Sequence, residues 1–123
     1  MTKKKIAVID DDTVLLNLLK VRLTHNGFDV VIADSGRAGL AMIKKEKPDL
    51  IILDLVMPDM DGGALAAKLR EDRVMAQIPV FFLTGLVSSG ETAAADNSIG
   101  GQRFIAKPFD AAELTAMIKD TLG

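Results

Sequence analysis

The chain contains no cysteine, so neither a disulfide framework nor thiol catalysis is open to it, and nothing about its compartment follows from cysteine usage. No apolar run approaches the roughly 18 residues that a membrane-spanning helix needs, and the N-terminus lacks the apolar core of a signal peptide. An excess of one charge is missing too, since 15 Lys and Arg stand against 17 Asp and Glu, a net charge of −2. The one basic run, Lys3-Lys4-Lys5, is short and terminal and reads as a solvated lead-in. Nothing in this balance predicts nucleic-acid or membrane binding by the chain itself, and a cytoplasmic protein is the expectation. Repeats, low-complexity segments and linkers are also absent. The 123 residues, 49% apolar and 26% charged, therefore suit one globular domain over 1–123, long enough to bury roughly two-thirds of its unfolded surface.

What is present centres on Leu50-Ile51-Ile52-Leu53-Asp54, followed by a turn rich in Pro, Asp and Gly through Gly62. An apolar run without alternation reads as a strand covered on both faces, the mark of a parallel sheet. Asp54 then stands at the carboxyl end of that strand, where open α/β sheets place their ligands. A charge at the tip of a buried strand is a poor choice for stability alone, so Asp54 asks for a functional reading. Asp59 and Asp61 fit a loop and a helix cap better.

The pattern recurs along the chain. Ile6–Ile9 is an apolar run ending in Asp10-Asp11-Asp12. A helix is predicted from Thr13 to Asn26, capped by Asp12, with Leu15, Leu18, Leu19 and Leu23 at helical spacing and Val14 and Val21 widening the apolar face. His25, the single histidine, falls in its last turn with no partner motif and suits the helix dipole there. Phe28–Ala33 reads as a second strand, and Ser35 caps a helix over Gly36–Lys45. Asp61-Gly62 opens a helix carrying Ala64, Leu65, Leu69 and Val74 and ending before Pro79. Pro79–Leu83 is a fourth strand, ending in Thr84-Gly85. Ser88 and Glu91 have capping-box spacing for a short, loosely held helix over Glu91–Ser98, closed by Gly100-Gly101. Arg103–Ala106 is a fifth strand ending in Lys107-Pro108. A last helix starts at Asp110 and Glu113, with Leu114, Met117, Ile118 and Leu122 at helical spacing. Strict alternation of five strands and five helices predicts an α/β domain with a five-stranded parallel sheet and right-handed crossovers.

In such a sheet all strand ends lie on one side. The fold then gathers Asp10, Asp11, Asp54, Thr84 and Lys107 into one pocket, although the sequence scatters them. Clustered carboxylates repel one another and raise each other's pKa unless a cation joins them. Oxygen ligands with no His or Cys nearby favour a hard ion, and Mg²⁺ suits one to three carboxylates plus waters and phosphate oxygens. Lys107 adds positive charge and Thr84 a hydrogen-bond donor. Together they describe a site for a phosphoryl group beside a carboxylate nucleophile.

Taken together, Val8-Ile9-Asp10-Asp11-Asp12, Ile51–Gly62, Phe81–Gly85 and Phe104–Phe109, in that order, resemble the receiver domain of response regulators, the phosphoacceptor module of two-component signalling. The resemblance covers essentially all 123 residues. It implies a flavodoxin-like sheet order 2-1-3-4-5 with helices on both faces. It implies that Asp54 accepts a phosphoryl group from a histidine kinase or phosphotransfer protein. Asp11 would ligate Mg²⁺ with Asp54 and the backbone carbonyl of Val56, and Asp10 would act largely through water. Lys107 would pair with the phosphate, across a cis bond to Pro108. Thr84 would move onto the phosphoryl oxygen and Phe104 would turn inward, altering the surface of the fourth helix, fifth strand and last helix for protein binding. Phe104 also has an ordinary reading as core packing. The family description is of a phosphoacceptor rather than an enzyme in the usual sense.

Two departures from the family pattern stand out. Ser98-Ile99-Gly100-Gly101-Gln102-Arg103 replaces the usual segment before the aromatic, and Gly85 follows Thr84 where Ala is more usual. Three rival readings are open. Asp10-x-Asp12 after a strand resembles the first motif of haloacid-dehalogenase-type phosphatases, but the later acidic pair is missing and Asp54 would be idle. A calcium loop at Asp59–Gly62 would place Met57 and Lys68 at its first and twelfth ligand positions and fails. An interaction module without phosphorylation would leave the acidic pocket unexplained. Met1 with its Lys-rich lead reads as a natural N-terminus, and Gly123 follows the last helix directly. The output is therefore expected from a downstream protein target or from a fused output domain absent from this chain.

Overall fold

The computed structural model describes residues 3–84, 98–99, 102–107 and 109–123. Five parallel strands, Lys5–Ile9 (β1), Asp29–Ala33 (β2), Leu50–Asp54 (β3), Val80–Thr84 (β4) and Gln102–Ala106 (β6), lie in the order β2-β1-β3-β4-β6. This is the flavodoxin-like order expected, with β6 as the fifth parallel strand. Ser98–Ile99 (β5) adds a two-residue antiparallel strand on the outer side of β6. The helix expected over Glu91–Ser98 lies outside the described residues except at Ser98, which is in β5 rather than in a helix. The described residues accordingly hold four α-helices rather than five: Thr13–His25 (α1), Gly36–Glu46 (α2), Gly62–Arg70 (α3) and Ala111–Leu122 (α4).

Alternate residues of each strand face opposite layers, which is why the strands read as unbroken apolar runs. Ile6, Val8, Leu50, Ile52, Phe81 and Leu83 join Leu16, Leu19 and Leu23 of α1 and Leu114 and Ile118 of α4 in one core. Ala7, Ile9, Ile51, Leu53, Val80 and Phe82 join Ile43 of α2 and Leu65, Ala66 and Leu69 of α3 in the other. Each fully buried Leu or Ile contributes about 1.5–3 kcal/mol, so the two cores hold the tips of the five parallel strands from both sides.

The caps follow the sequence signals. The side chains of Asp12, Ser35, Asp61 and Asp110 accept the amides of Leu15, Ala38, Ala64 and Ala112 at the starts of the four helices. Two apolar faces differ from expectation. In α1 the buried stripe is Leu16, Leu19 and Leu23, while Leu18, Val14 and Val21 are 57%, 77% and 71% exposed. Both sets have spacings of three and four, so periodicity alone does not orient the helix and the sheet decides. α3 ends at Arg70, and Met75–Gln77 forms a separate 3₁₀ turn. The Asp72 carboxylate takes the amides of Val74 and Met75 at 2.8 and 3.0 Å. That competition for backbone donors starts the new turn. Ala66 rather than Ala64 then faces the core, and Val74 is exposed.

Candidate functional site

Register carries the chemistry to one edge. Asp54 pairs with Leu83 across β3 and β4, and Thr84 pairs with Ala106 across β4 and β6. The tip of β1 joins the same edge, its next residue Asp10 donating its amide to the carbonyl of Ala33 at 3.2 Å. The Lys107 amide likewise bonds the Thr84 carbonyl at 2.8 Å, which fixes where the lysine leaves its strand.

Three carboxylates meet there. Asp10, Asp11 and Asp54 each offer an oxygen lying within 4.8 Å of the others, with Asp11 exposed and the other two buried. Asp10 is fully buried, and both its oxygens are engaged. Oδ1 accepts the Asp12 amide at 2.9 Å and Oδ2 accepts Lys107 Nζ at 2.9 Å. Lys107 Nζ stands 3.6 Å from Asp54 Oδ1. The lysine is therefore shared, and nearer Asp10 than Asp54. Burial draws its pKa down, but the hydrogen bond and charge of Asp10, with that of Asp54, leave it raised above the ordinary lysine value. Asp54 is pushed up to about 6. Burial is the largest cause and Asp10 the next, against the partial relief of Lys107 and the Val56 amide, which donates to Asp54 Oδ1 at 3.4 Å.

The remaining predicted residues divide by position. Thr84 is buried at the tip of β4. Val56, expected to offer its carbonyl, is 61% exposed in the loop after β3. Phe104 is half-buried and stacks on Phe82, its register partner, with ring centroids 5.1 Å apart. The expected cis bond to Pro108 and the Gly85 departure fall outside the described residues. Gly62 matters to the site by size: a Cβ there would lie 2.5 Å from the Asp54 carbonyl oxygen. Any side chain would push the β3 tip out of place. Asp59, a loop residue in the sequence reading, reaches the start of α2 with both carboxylate oxygens.

Charge, burial and donor type define what this arrangement can do. Three carboxylates, each offering an oxygen within 4.8 Å of the others and with no His or Cys among them, suit a hard metal ion. Such an ion would offset both the burial and the repulsion that raise Asp54, and the Lys107 ammonium beside it gives an anionic group a second partner.

Comparison with known proteins agrees with this geometry. The family model of the response regulator receiver domain matches residues 6–119. Transcriptional regulatory protein GlrR of Escherichia coli K12 is 41% identical over 117 residues, 95% of this chain and 26% of that protein. The DNA-binding dual master transcriptional regulator RpaA of Synechocystis is 36% identical over 118 residues, 96% of this chain and 48% of that protein. The chain thus spans half or less of these curated relatives. Among solved structures, a CheY-like response regulator receiver domain protein from Methanospirillum hungatei superposes with a TM-score of 0.83 at 32% identity, covering 98% of this chain and 94% of the other. The receiver domain of a Pseudomonas aeruginosa sensor histidine kinase, described with a magnesium ion coordinated in its active-site cleft, shares the fold with a TM-score of 0.83 at 21% identity, covering 99% of each chain. The phosphatase, calcium-loop and unphosphorylated-module readings are not favoured by these matches. The chain belongs to the response regulator receiver domain family.

Proposed function

We propose that residues 1–123 act as one receiver unit in which Asp54 accepts a phosphoryl group from a histidine kinase or a phosphotransfer protein, with Mg²⁺ held by Asp11, Asp54 and the Val56 carbonyl and by Asp10 through water. The observation that carries the reading is the Asp54 carboxylate at the buried tip of β3, between two further carboxylates and Lys107 Nζ at 3.6 Å. A carboxylate oxygen attacks phosphorus, the bond from phosphorus to the donor's imidazole nitrogen breaks, and its electron pair stays on that nitrogen. The product is an acyl phosphate on Asp54. Bound Mg²⁺ would supply charge neutralisation for the phosphoryl oxygens. Lys107 then exchanges Asp10 for the new phosphate, and Thr84 donates its hydroxyl to it. Phe104 leaves its stack on Phe82 as Thr84 moves, changing the surface around β6 and α4. A downstream protein, or an output domain fused beyond this chain, reads that surface, and no nucleic acid is contacted by the chain itself.

Docking of the donor is supported by α1. Its exposed apolar stripe of Val14, Leu18 and Val21 begins two residues after the Asp10-Asp11-Asp12 run. Among the described residues no helix is long and apolar enough to cross a membrane, and we place the protein in the cytoplasm with its donor. The test is incubation with Mg²⁺ and acetyl phosphate. The expected product is a single label, stable in acid no better than an acyl phosphate, absent in Asp54→Asn and in EDTA. A label that survives Asp54→Asn unchanged, or steady phosphate release from phosphomonoesters, overturns the assignment.

A further inference from the structure

Asp59 lies on the loop between β3 and α3 and reaches back across the surface to α2. Its Oδ1 accepts the Gly36 amide and its Oδ2 the Arg37 amide, each at 3.0 Å. With Ser35 Oγ on the Ala38 amide at 3.2 Å, the first three amides of α2 are all satisfied. Ser35 satisfies only the last of these three amides, and water is the usual alternative partner for the other two. What the Asp59 bonds add is a tie between α2 and the loop. The contact is close: a Cβ on Gly36 would lie 2.7 Å from Met60 Cβ and 3.0 Å from the Met60 carbonyl oxygen.

The loop is anchored at its start by Leu55, whose amide bonds the Leu83 carbonyl at 3.1 Å and whose carbonyl accepts the Gly62 amide at 2.8 Å. Its middle is held by Asp59, while its far end closes on Leu55 through that same Gly62 amide. Between Leu55 and Asp59 stands Val56, exposed, with its amide on Asp54 Oδ1 at the long distance of 3.4 Å. Val56 is thus flanked by Leu55 on one side and, three residues on, by the tie of Asp59 to α2. We propose that Asp59 is a positioning residue that holds the Val56 carbonyl and the Asp54 carboxylate in the geometry a small octahedral ion demands. The proposal rests on the metal and acceptor roles given above to Asp54 and Val56.

The test is the Mg²⁺ affinity of the full chain, measured by calorimetry, beside thermal stability and acetyl phosphate labelling. Asp59→Ala is expected to weaken Mg²⁺ about tenfold, in the range of lost outer-shell partners at metal sites, with labelling restored at saturating Mg²⁺. Gly36→Ala, which presses on Met60 from the other side, should weaken it in the same direction. The double variant Ser35→Asp with Asp59→Ala returns a carboxylate to the start of α2 without the tie. It should recover thermal stability but not metal affinity. Affinity that returns with stability in that variant, or wild-type affinity in Asp59→Ala, overturns the proposal. Should Asp59→Ala fail to fold, Asp59→Asn, which keeps one acceptor oxygen, carries the same comparison. Wild-type protein that binds no Mg²⁺ or takes no label on Asp54 defeats the underlying function instead, a result distinct from either of those.

Discussion

Asp54 and Asp59 stand five residues apart and are treated in opposite ways. The β3 tip buries Asp54 among like charges, and its pKa rises to about 6. The loop leaves Asp59 in solvent but gives it two amides, and those bonds to Arg37 and Gly36 hold its pKa below the ordinary carboxylate value. One carboxylate is ionised against the preference of the fold, and the other is ionised with it. The proposed acceptor and the proposed support thus sit in opposite environments, although the residue type is the same.

The largest effect is expected where the strand-tip charges are balanced. Lys107→Met removes the partner of a fully buried carboxylate, and breaking such a pair costs about 3 kcal/mol. Adding Asp10→Asn, which keeps an acceptor for the Asp12 amide, should recover more than half of that loss. The measurement is urea unfolding of both variants in EDTA, read as a double-mutant cycle. Additive losses would mean that the contact at 2.9 Å is not what Asp10 depends on.

Asp54→Asn should act in the other direction. A raised folded pKa means that the folded state holds the proton more tightly than the unfolded chain does. The stability this gives is complete below about pH 4 and lost as pH rises through about 6. At pH 7.5 the ionised group therefore opposes folding. Asn removes that opposition and should stabilise the metal-free protein by about 1–2 kcal/mol, less than the full shift implies because the approach of Lys107 is lost as well. Unfolding at pH 7.5 and pH 4 distinguishes the two regimes, since the gain should vanish at the lower pH. Equal effects at both would remove the electrostatic account of the β3 tip.

The sequence carried most of this arrangement, for identifiable reasons. Strands buried on both faces write themselves as apolar runs, and a parallel sheet puts every residue that follows such a run at one edge. That is what groups Asp10, Asp11, Asp54, Thr84 and Lys107 from sequence alone. Caps such as Ser35, Asp61 and Asp110 were legible because their partners lie within three residues. The buried face of α1 was not, because Leu16, Leu19, Leu23 and the opposite Val14, Leu18, Val21 obey the same spacing. The preference of Lys107 for Asp10 over Asp54, and the bonds of Asp59 to α2, depend on distances between segments that no local pattern encodes.

Asp59→Asn tests the supporting side of the comparison and should cost less than the loss of Lys107. A lowered folded pKa gives stability that is present above the ordinary carboxylate range and lost as pH falls through the folded value. Asp59→Asn should therefore lower the melting temperature at pH 7, and the gap to wild type should close on acidification below about pH 4. A gap that persists into acid would mean that the loop depends on the shape of the side chain rather than its charge.

Asp61→Ser should have the smallest effect. Asp61 Oδ1 accepts the Ala64 amide at 2.7 Å within its own helix start, a distance that a serine hydroxyl also spans. Ser and Asp are near-equal caps, so stability should stay within about 0.5 kcal/mol of wild type. The same change at Asp59 should not be tolerated so well, because a serine there lacks the carboxyl carbon and one of the two oxygens that reach two amides on another helix. Matched thermal unfolding of Asp59→Ser and Asp61→Ser makes the contrast direct. Equal losses would mean that Asp59 caps α2 as any short polar residue could. A loss confined to Asp59 would mean that its reach across to α2 is what the loop requires.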